Sequence, residues 1–477
     1  MVEVLIGLEI HCQLTSLESK LFCTCLGNYR NSKPNSNICP VCCGFPGTLP
    51  LLNKCAVEYS AMISKSLGCK IPPKLLFYRK NYFYPDLPKN FQITQYNVYG
   101  LTSIGSEGNL DISDTHIRIK RVQLEEDPGR ILYGLDGTHA SNYILVDYNR
   151  AGVSLVEIVT EPDFKSPREV RIFLNKLSSI LEHIGVCDTS LEGAVRCDAN
   201  VSLNGGNRIE IKNVSSFKEV EKALTYEITR QANLLTRAIE ISSETRHWDE
   251  QRKITKIART KEEEQDYRYF PEPDIPVVVL GNEFDSHVSK LIPELPDQRL
   301  SRFISDYTLS NHVANILINS KRLADFFESS VKLYPSPIEI ANWIVNDLMG
   351  LLGGEEIFSI DSLKIQPKHV AELAQFVDEN KINRTTAKQF LSKMFQTGES
   401  PSELLKKSDL SQIDDENLIA ETVEQVFNSE QLAVRDAREN PSVINFLVGK
   451  VMQSTKGRAD PKIVTQLVRQ RLESKIN

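Results

Sequence analysis

Two segments of this chain hold residue types that do phosphate and metal chemistry. The first, RKNYFYPDLPKNFQITQYN (Arg79 to Asn97), mixes aromatic side chains with Arg79, Lys80 and Lys89 and is broken by Pro85 and Pro88. The second, QLEEDPGR (Gln123 to Arg130), sets Glu125, Glu126 and Asp127 directly before a Pro-Gly turn. Cations and aromatics hold phosphates and nucleotides, while clustered carboxylates hold divalent ions. Neither a GxxxxGK[ST] loop nor a GxGxxG fingerprint occurs, so the two commonest nucleotide cradles are excluded. The chain reads as a nucleotide-using enzyme built another way.

More acids join these. Glu9 and His11 stand two apart in VEVLIGLEIHCQL, Asp198 lies in AVRCDANVSL and Glu210 in RIEIKN. Each segment alternates apolar and polar residues as a strand does, so each acid sits on a polar face. Mg²⁺ takes hard oxygen donors, which Glu9, Glu125, Asp198 and Glu210 supply; His11 is open between ligand and hydrogen-bond partner. Arg79, Lys80, Arg150, Lys212 and Arg268 stand in motif-like surroundings and are candidates to face phosphates. Tyr82, Tyr84 and Tyr269 are candidates to stack on a base.

The cysteines form a separate group. Cys23-x-Cys25, thirteen intervening residues, then Cys39-Pro-Val-Cys42-Cys43 gives the spacing of a structural tetrathiolate zinc site. Cys43 leaves the fourth ligand open. The intervening loop is rich in Gly, Asn and Pro, as a knuckle needs. In a reducing compartment the remaining cysteines read as buried thiols.

An antiparallel sheet with one wet, acid-lined face would gather the strand-borne acids, which predicts an α+β fold for residues 1–290. Ser166-Pro167-Arg168-Glu169 and Ser216-Phe217-Lys218-Glu219 are capping boxes that open two amphipathic helices. Beyond about 290 the strand signals fade. Ser336-Pro337 and Ser400-Pro401 repeat the capping pattern, giving an all-helical remainder with boundaries near 290 and 405. The chain has 477 residues, 41% hydrophobic and 25% charged, with a formal net charge of −7. No global basic field attracts nucleic acid, so any RNA contact must be local. The last 37 residues offer such a patch, with Lys450, Lys456, Arg458, Lys462, Arg469, Arg471 and Lys475 against Asp460 and Glu473. No apolar run approaches the ~18 residues of a membrane span, and Glu3 stands where a signal peptide would carry a base. A cytoplasmic protein is expected.

GLEIHCQL, FCTC…NSNICPVCCGFPGTLPLLN, RKNYFYPDLPKNFQITQYN, QLEEDPGR, VDYNRAGVSLVEIVTEPD, RCDANVSL, RIEIKNVSSF and DYRYFPEPD occur in one order. Together they resemble the B subunit of the aspartyl/glutamyl-tRNA(Asn/Gln) amidotransferases over essentially the whole chain. The resemblance implies a catalytic cradle similar to glutamine synthetase (1–290), a helical domain (291–405) and a tRNA-binding helical tail (406–477). It implies use of ATP and Mg²⁺ to phosphorylate the side-chain carboxylate of Glu-tRNA(Gln) or Asp-tRNA(Asn). Ammonia then displaces phosphate. The implied partners are the glutaminase, or A-type, subunit and the small C-type subunit in a heterotrimer; no glutaminase motif occurs here. Carried over, Glu9, His11, Glu125, Asp198 and Glu210 surround Mg²⁺, and Glu125, Glu126, Glu210 and Lys212 are catalytic. Lys80, Tyr82, Arg150 and Arg268 hold ATP, and Cys23, Cys25, Cys39 and Cys42 hold zinc. Gln123 and Pro128 depart from the His and Ala common in that family. Two rivals differ in consequence: a stand-alone amide ligase has no need of the helical third, and a zinc-knuckle RNA-binding module hydrolyses no nucleotide.

Overall fold

The computed structural model describes residues 2–97, 100, 102–112, 115–136, 139–260, 266–352, 363–407, 416–437, 443–455, 459 and 461–474. The chain divides into two compact units, Met1–Pro296 and Asp297–Asn477. Its architecture is mixed α/β, dominated by one large sheet that is antiparallel but for a single pair.

That sheet carries the first unit. Its strands, numbered along the chain, are β1 (Val4–Gln13), β2 (Gly105–Ile112), β3 (Thr115–Glu126), β4 (Ser154–Thr160), β5 (Val195–Leu203), β6 (Ile209–Lys212), β7 (Glu244–Asp249) and β8 (Ile254–Thr260). In space they run β8-β7-β6-β5-β1-β4-β3-β2. The exceptional pair, β6 with β7, is parallel. A parallel neighbour cannot be reached by a tight turn, and the crossover is the helix Phe217–Thr236.

The alternation seen in the sequence decides which way the sheet faces. Ile6, Leu8 and Ile10 of β1 and Cys197, Ala199 and Val201 of β5 are buried, while Glu9, His11, Arg196 and Asp198 between them are partly open. The apolar side is covered by α1 (Lys54–Ser66), α2 (Pro167–His183) and α3 (Phe217–Thr236). Phe173, Leu174 and Leu177 of α2 and Val220 and Leu224 of α3 complete that core. Both capping serines act as expected: Ser166 accepts from the Glu169 N–H and Ser216 from the Glu219 N–H, each at 3.3 Å. Outside the sheet, the short strands Tyr78–Asn81 and Phe91–Thr94 pair with each other, and the first also pairs with Phe270–Pro271.

Every named element among the described residues of the second unit is a helix. Its buried apolar residues form two clusters, one around Phe303, Phe327, Trp343 and Phe390 and one around Ile419, Phe427, Val451 and Val464. Of the C-terminal cations, Lys450 pairs with Glu430 at 2.9 Å and Arg471 pairs with Glu424, so part of that positive charge is offset locally. Lys456, Arg458, Asp460 and Lys475 lie outside the described residues. No helix among the described residues is long and apolar enough to cross a membrane.

Candidate functional site

Strand register assembles the site. Glu9 stands opposite Asp198, His11 opposite both Arg196 and Glu157, and Gln123 opposite Glu157. Glu210 pairs with Asn200 on the far side of β5. Side chains two residues apart share a face. One side of β6-β5-β1-β4-β3 therefore carries Glu210, Lys212, Asp198, Glu9, His11, Glu157 and Glu125 in a continuous ionic band. This band floors a cleft of about 1100 Å³ and an adjoining hollow of about 380 Å³, which share Glu9, Lys80, Glu125, Glu157 and Lys212.

Within the band, Glu9, His11 and Glu157 offer ligand atoms that all lie within 4.8 Å of one another. His11 Nε2 is 3.7 Å from Glu9 and 3.9 Å from Glu125, too far for hydrogen bonds, as a set of groups converging on a common point would be. Glu125 is buried and accepts from Thr94 Oγ1 at 2.9 Å. Burial above all, then the Glu157 carboxylate, pushes Glu125 up to about 7, and the same two causes raise Glu9. These carboxylates lack enough positive charge among themselves, and a hard divalent cation fits the donor set and the deficit.

Lys212 reaches Asp198 at 2.9 Å and Glu210 at 3.3 Å. Burial works to lower its pKa, but Asp198 and Glu210 outweigh that and hold it raised, so Lys212 stays charged. Thr245 donates to Glu210 at 2.9 Å. Lys80 lies 4.8 Å above the Tyr267 ring. Tyr267, Tyr269, Tyr96 and Tyr82 form an aromatic wall, with Tyr96 stacked on Tyr269 at 4.2 Å and Tyr82 edge-on to Tyr267 at 6.0 Å.

Five expected residues stand elsewhere: Arg79 is held by Glu272 at 2.7 and 2.8 Å, Tyr84 lines neither hollow, and Glu126, Arg150 and Arg268 have other places. Glu126 follows Glu125 in an extended strand and so points through the sheet. There Lys89 Nζ approaches both its oxygens at 2.5 and 2.6 Å and the Ile93 N–H donates at 2.9 Å. Arg150 closes the Pro128-Gly129 turn, donating to both carbonyls at 2.9 and 2.8 Å, and is not turned to the cleft. Arg268, exposed and with φ at 48°, lines neither hollow.

One important acid escaped the sequence reading, and a second, Asp127, has a role that its place in the acid run did not show. Glu157 sits in SLVEIVT, a strand apolar enough to read as core; only pairing with β1 reveals its company. Asp127, fully buried, accepts from Gln13 at 2.5 Å and from Arg196 at 2.9 Å, with Arg150 at 3.8 Å. Burial would raise its pKa, but Arg196 and Arg150 outweigh it and hold the carboxyl below its ordinary value. Asp127 thus ties β3, β1 and β5 together at one end of the band, where it lines the smaller hollow.

The cysteine knuckle lies on the Glu126 side. The sulfurs of Cys23, Cys25, Cys39 and Cys42 all fall within 4.8 Å of one another, and Cys43 is outside the group. A tetrahedral Zn–S site places sulfurs about 3.8 Å apart, so this donor set fits with small adjustment. The Cys39 N–H points at Cys42 Sγ at 3.2 Å, and the buried Lys20 ammonium is 3.8 Å from it. The Cys23 thiol above all draws Cys42 down to about 4, against burial. Asn35 and Asn37 stitch the loop to Val146, Tyr148 and Asn149.

Two comparisons bear on this geometry. Residues 4–285 match a family described as the GatB/GatE catalytic domain, and residues 325–472 match one described as the GatB domain. The chain is 44% identical over 469 residues to the B subunit of the aspartyl/glutamyl-tRNA(Asn/Gln) amidotransferase of Saccharolobus solfataricus, covering 98% of this chain and 99% of the relative. It is likewise 44% identical over 480 residues to the protein of the same name from Thermotoga maritima, covering 98% of each.

Replacing Asp127 by Asn leaves Arg196 and Arg150 without their buried counter-charge. A destabilisation of about 2–4 kcal/mol is expected, the upper part of the range for a broken buried pair being reduced because both arginines keep some solvent. Urea unfolding of the two proteins followed by tryptophan fluorescence measures it.

Proposed function

The chain belongs to the B-subunit family of the aspartyl/glutamyl-tRNA(Asn/Gln) amidotransferases, and on that footing we propose that its ionic band is where ATP activates a tRNA-borne carboxylate for amide formation. It is a component of a tRNA-dependent amidotransferase. The observation that carries the finer reading is the coexistence, around one cleft and its adjoining hollow, of convergent acids, separated cations and an aromatic wall.

A side-chain carboxylate is a poor electrophile because its leaving group would be oxide. Attack of its oxygen on the γ-phosphorus of ATP, with loss of ADP, gives an acyl phosphate. Attack of ammonia on the acyl carbon then expels phosphate, gives the amide and sheds a proton. Such chemistry needs positioning and charge neutralisation more than covalent help from the protein. Glu9, His11, Glu157 and Glu125 would hold Mg²⁺, which supplies charge neutralisation at the polyphosphate when bound. Lys80 and Lys212 face the phosphates. Asp198 and Glu210 keep Lys212 charged and aimed. The tyrosine wall offers a π surface to a base. Glu126 and Arg150 have no place in this step.

The sheet with its helices is read as a glutamine synthetase-type cradle, and the second unit, with its cation-bearing last helix Pro461–Ser474, as the part that holds tRNA. Ammonia comes from a glutaminase partner, the A-type subunit, in a heterotrimer completed by the small C-type subunit. The knuckle is read as a structural zinc site of Cys23, Cys25, Cys39 and Cys42.

Assembled with its partners, the wild-type chain is expected to release ADP only when Glu-tRNA(Gln) or Asp-tRNA(Asn) is present. Glu125→Gln should lower that rate about a hundredfold, while Glu126→Gln leaves tRNA-dependent ADP release standing. Equal loss in both variants, or ADP release indifferent to tRNA, would sink the assignment. For the knuckle, atomic emission on the purified chain should find one zinc per molecule. Cys25→Ser should lose it and melt earlier, and a zinc-free wild type would refute the site.

A further inference from the structure

Between β3 and β4 the register slips at Ile119/Arg121: Ile119 opposes Thr160, yet Arg121 opposes Val159. One residue, Lys120, is extra. Bulges of this kind re-aim side chains beside functional clefts. Here the consequence is plain, because the consecutive residues Lys120 and Arg121 both line the large cleft.

Arg121 is also braced. Its Nε donates to Gln123 Oε1 at 2.8 Å and its Nη2 to Glu157 Oε1 at 3.1 Å. Gln123 is itself buried, and its amide nitrogen donates to the Gln95 carbonyl. These contacts occupy one edge of the guanidinium. Nη1 has no protein acceptor among the described residues, so the Nη1–Nη2 edge remains as a two-pronged donor on a side chain about one-third exposed. The brace shares Glu157 with the converging Glu9–His11–Glu157 group, so whatever Arg121 holds lies beside that group.

Resting on the reading above, we propose that Arg121 binds the side-chain carboxylate of the esterified glutamate or aspartate and so selects the mischarged tRNA over the amidated product. The open edge of a guanidinium matches the two coplanar oxygens of a carboxylate, which a tetrahedral phosphate matches less selectively. A neutral amide loses the charge and turns an NH₂ donor toward donors, a mismatch that a site built around hydrogen bonding rejects strongly. Substrate is therefore held and product released by the same group.

The test uses the complex with its partners, carrying wild type, Arg121→Gln or Arg121→Lys, and the mischarged tRNA that the wild-type complex amidates. The readouts are KM for that tRNA, KM for ATP, and inhibition by the same tRNA bearing the amidated residue. Arg121→Gln should raise the tRNA KM about tenfold or more, leave the ATP KM within about twofold, and bring substrate and product affinities together. Arg121→Lys keeps the charge without the fork, so discrimination should still fall; this variant decides the matter if Arg121→Gln proves poorly folded by circular dichroism. Unchanged discrimination overturns the assignment, and a rise confined to the ATP KM gives Arg121 to phosphate instead. A wild-type complex that makes no amide with ATP would count against the wider reading, a distinguishable failure.

Discussion

The period-two alternation of an antiparallel sheet, with its register fixed, is the constraint on which the rest depends. Glu9, His11, Glu157, Glu125, Asp198 and Glu210 come from five strands scattered over some two hundred residues of sequence. They meet only because the alternate residues of every strand are apolar and must face the helices. A slip of one residue in β1 would send Glu9 and His11 into the core and Ile10 into the cleft. The hydrophobic face thus positions the ionic one, and the stability of the core is what holds like charges together against their repulsion.

That repulsion adds to burial, the larger cause, in raising the pKa values of Glu9 and Glu125. It is met from two directions. Lys212 and Lys80 offset the band from within, and Arg196 and Arg150, sharing the single carboxylate of Asp127, leave positive charge in excess at one end of it. β3 also separates two chemistries. Glu125 looks into the cleft while its neighbour Glu126 looks to the cysteine knuckle, where a Cβ at Gly152 would lie within 4 Å of Cys42, Lys20 and Glu126. The knuckle therefore borders β3 without entering the cleft.

Much of this was legible in the sequence. The strands of Glu9, Asp198 and Glu210 declared their polar faces by alternation, the capping serines declared the helices, and the cysteine spacing declared the knuckle. Geometry chose Cys42 over Cys43, which spacing alone left open. Glu157 was hidden because its strand is apolar on both sides of it, and a lone acid there carries no periodic signal. Glu126 was grouped with Glu125 because a run of acids looks like one cluster, although adjacent strand residues face apart. Arg150 was taken for a phosphate ligand because sequence cannot distinguish a guanidinium bound to carbonyls from one awaiting an anion. Arg121 needed the bulge, and a bulge is a property of two strands rather than one.

On the proposed reading, the acids of this one face form a divalent-cation site at the ATP. Anomalous diffraction from crystals grown with Mn²⁺ and a non-hydrolysable ATP analogue tests it most directly. A manganese peak is expected about 2.2 Å from carboxylate oxygens of Glu9 and Glu157, with the analogue's phosphates between it and Lys80 or Lys212. Nucleotide bound with manganese away from this face, or ordered in the cleft with no metal against these acids, would contradict it.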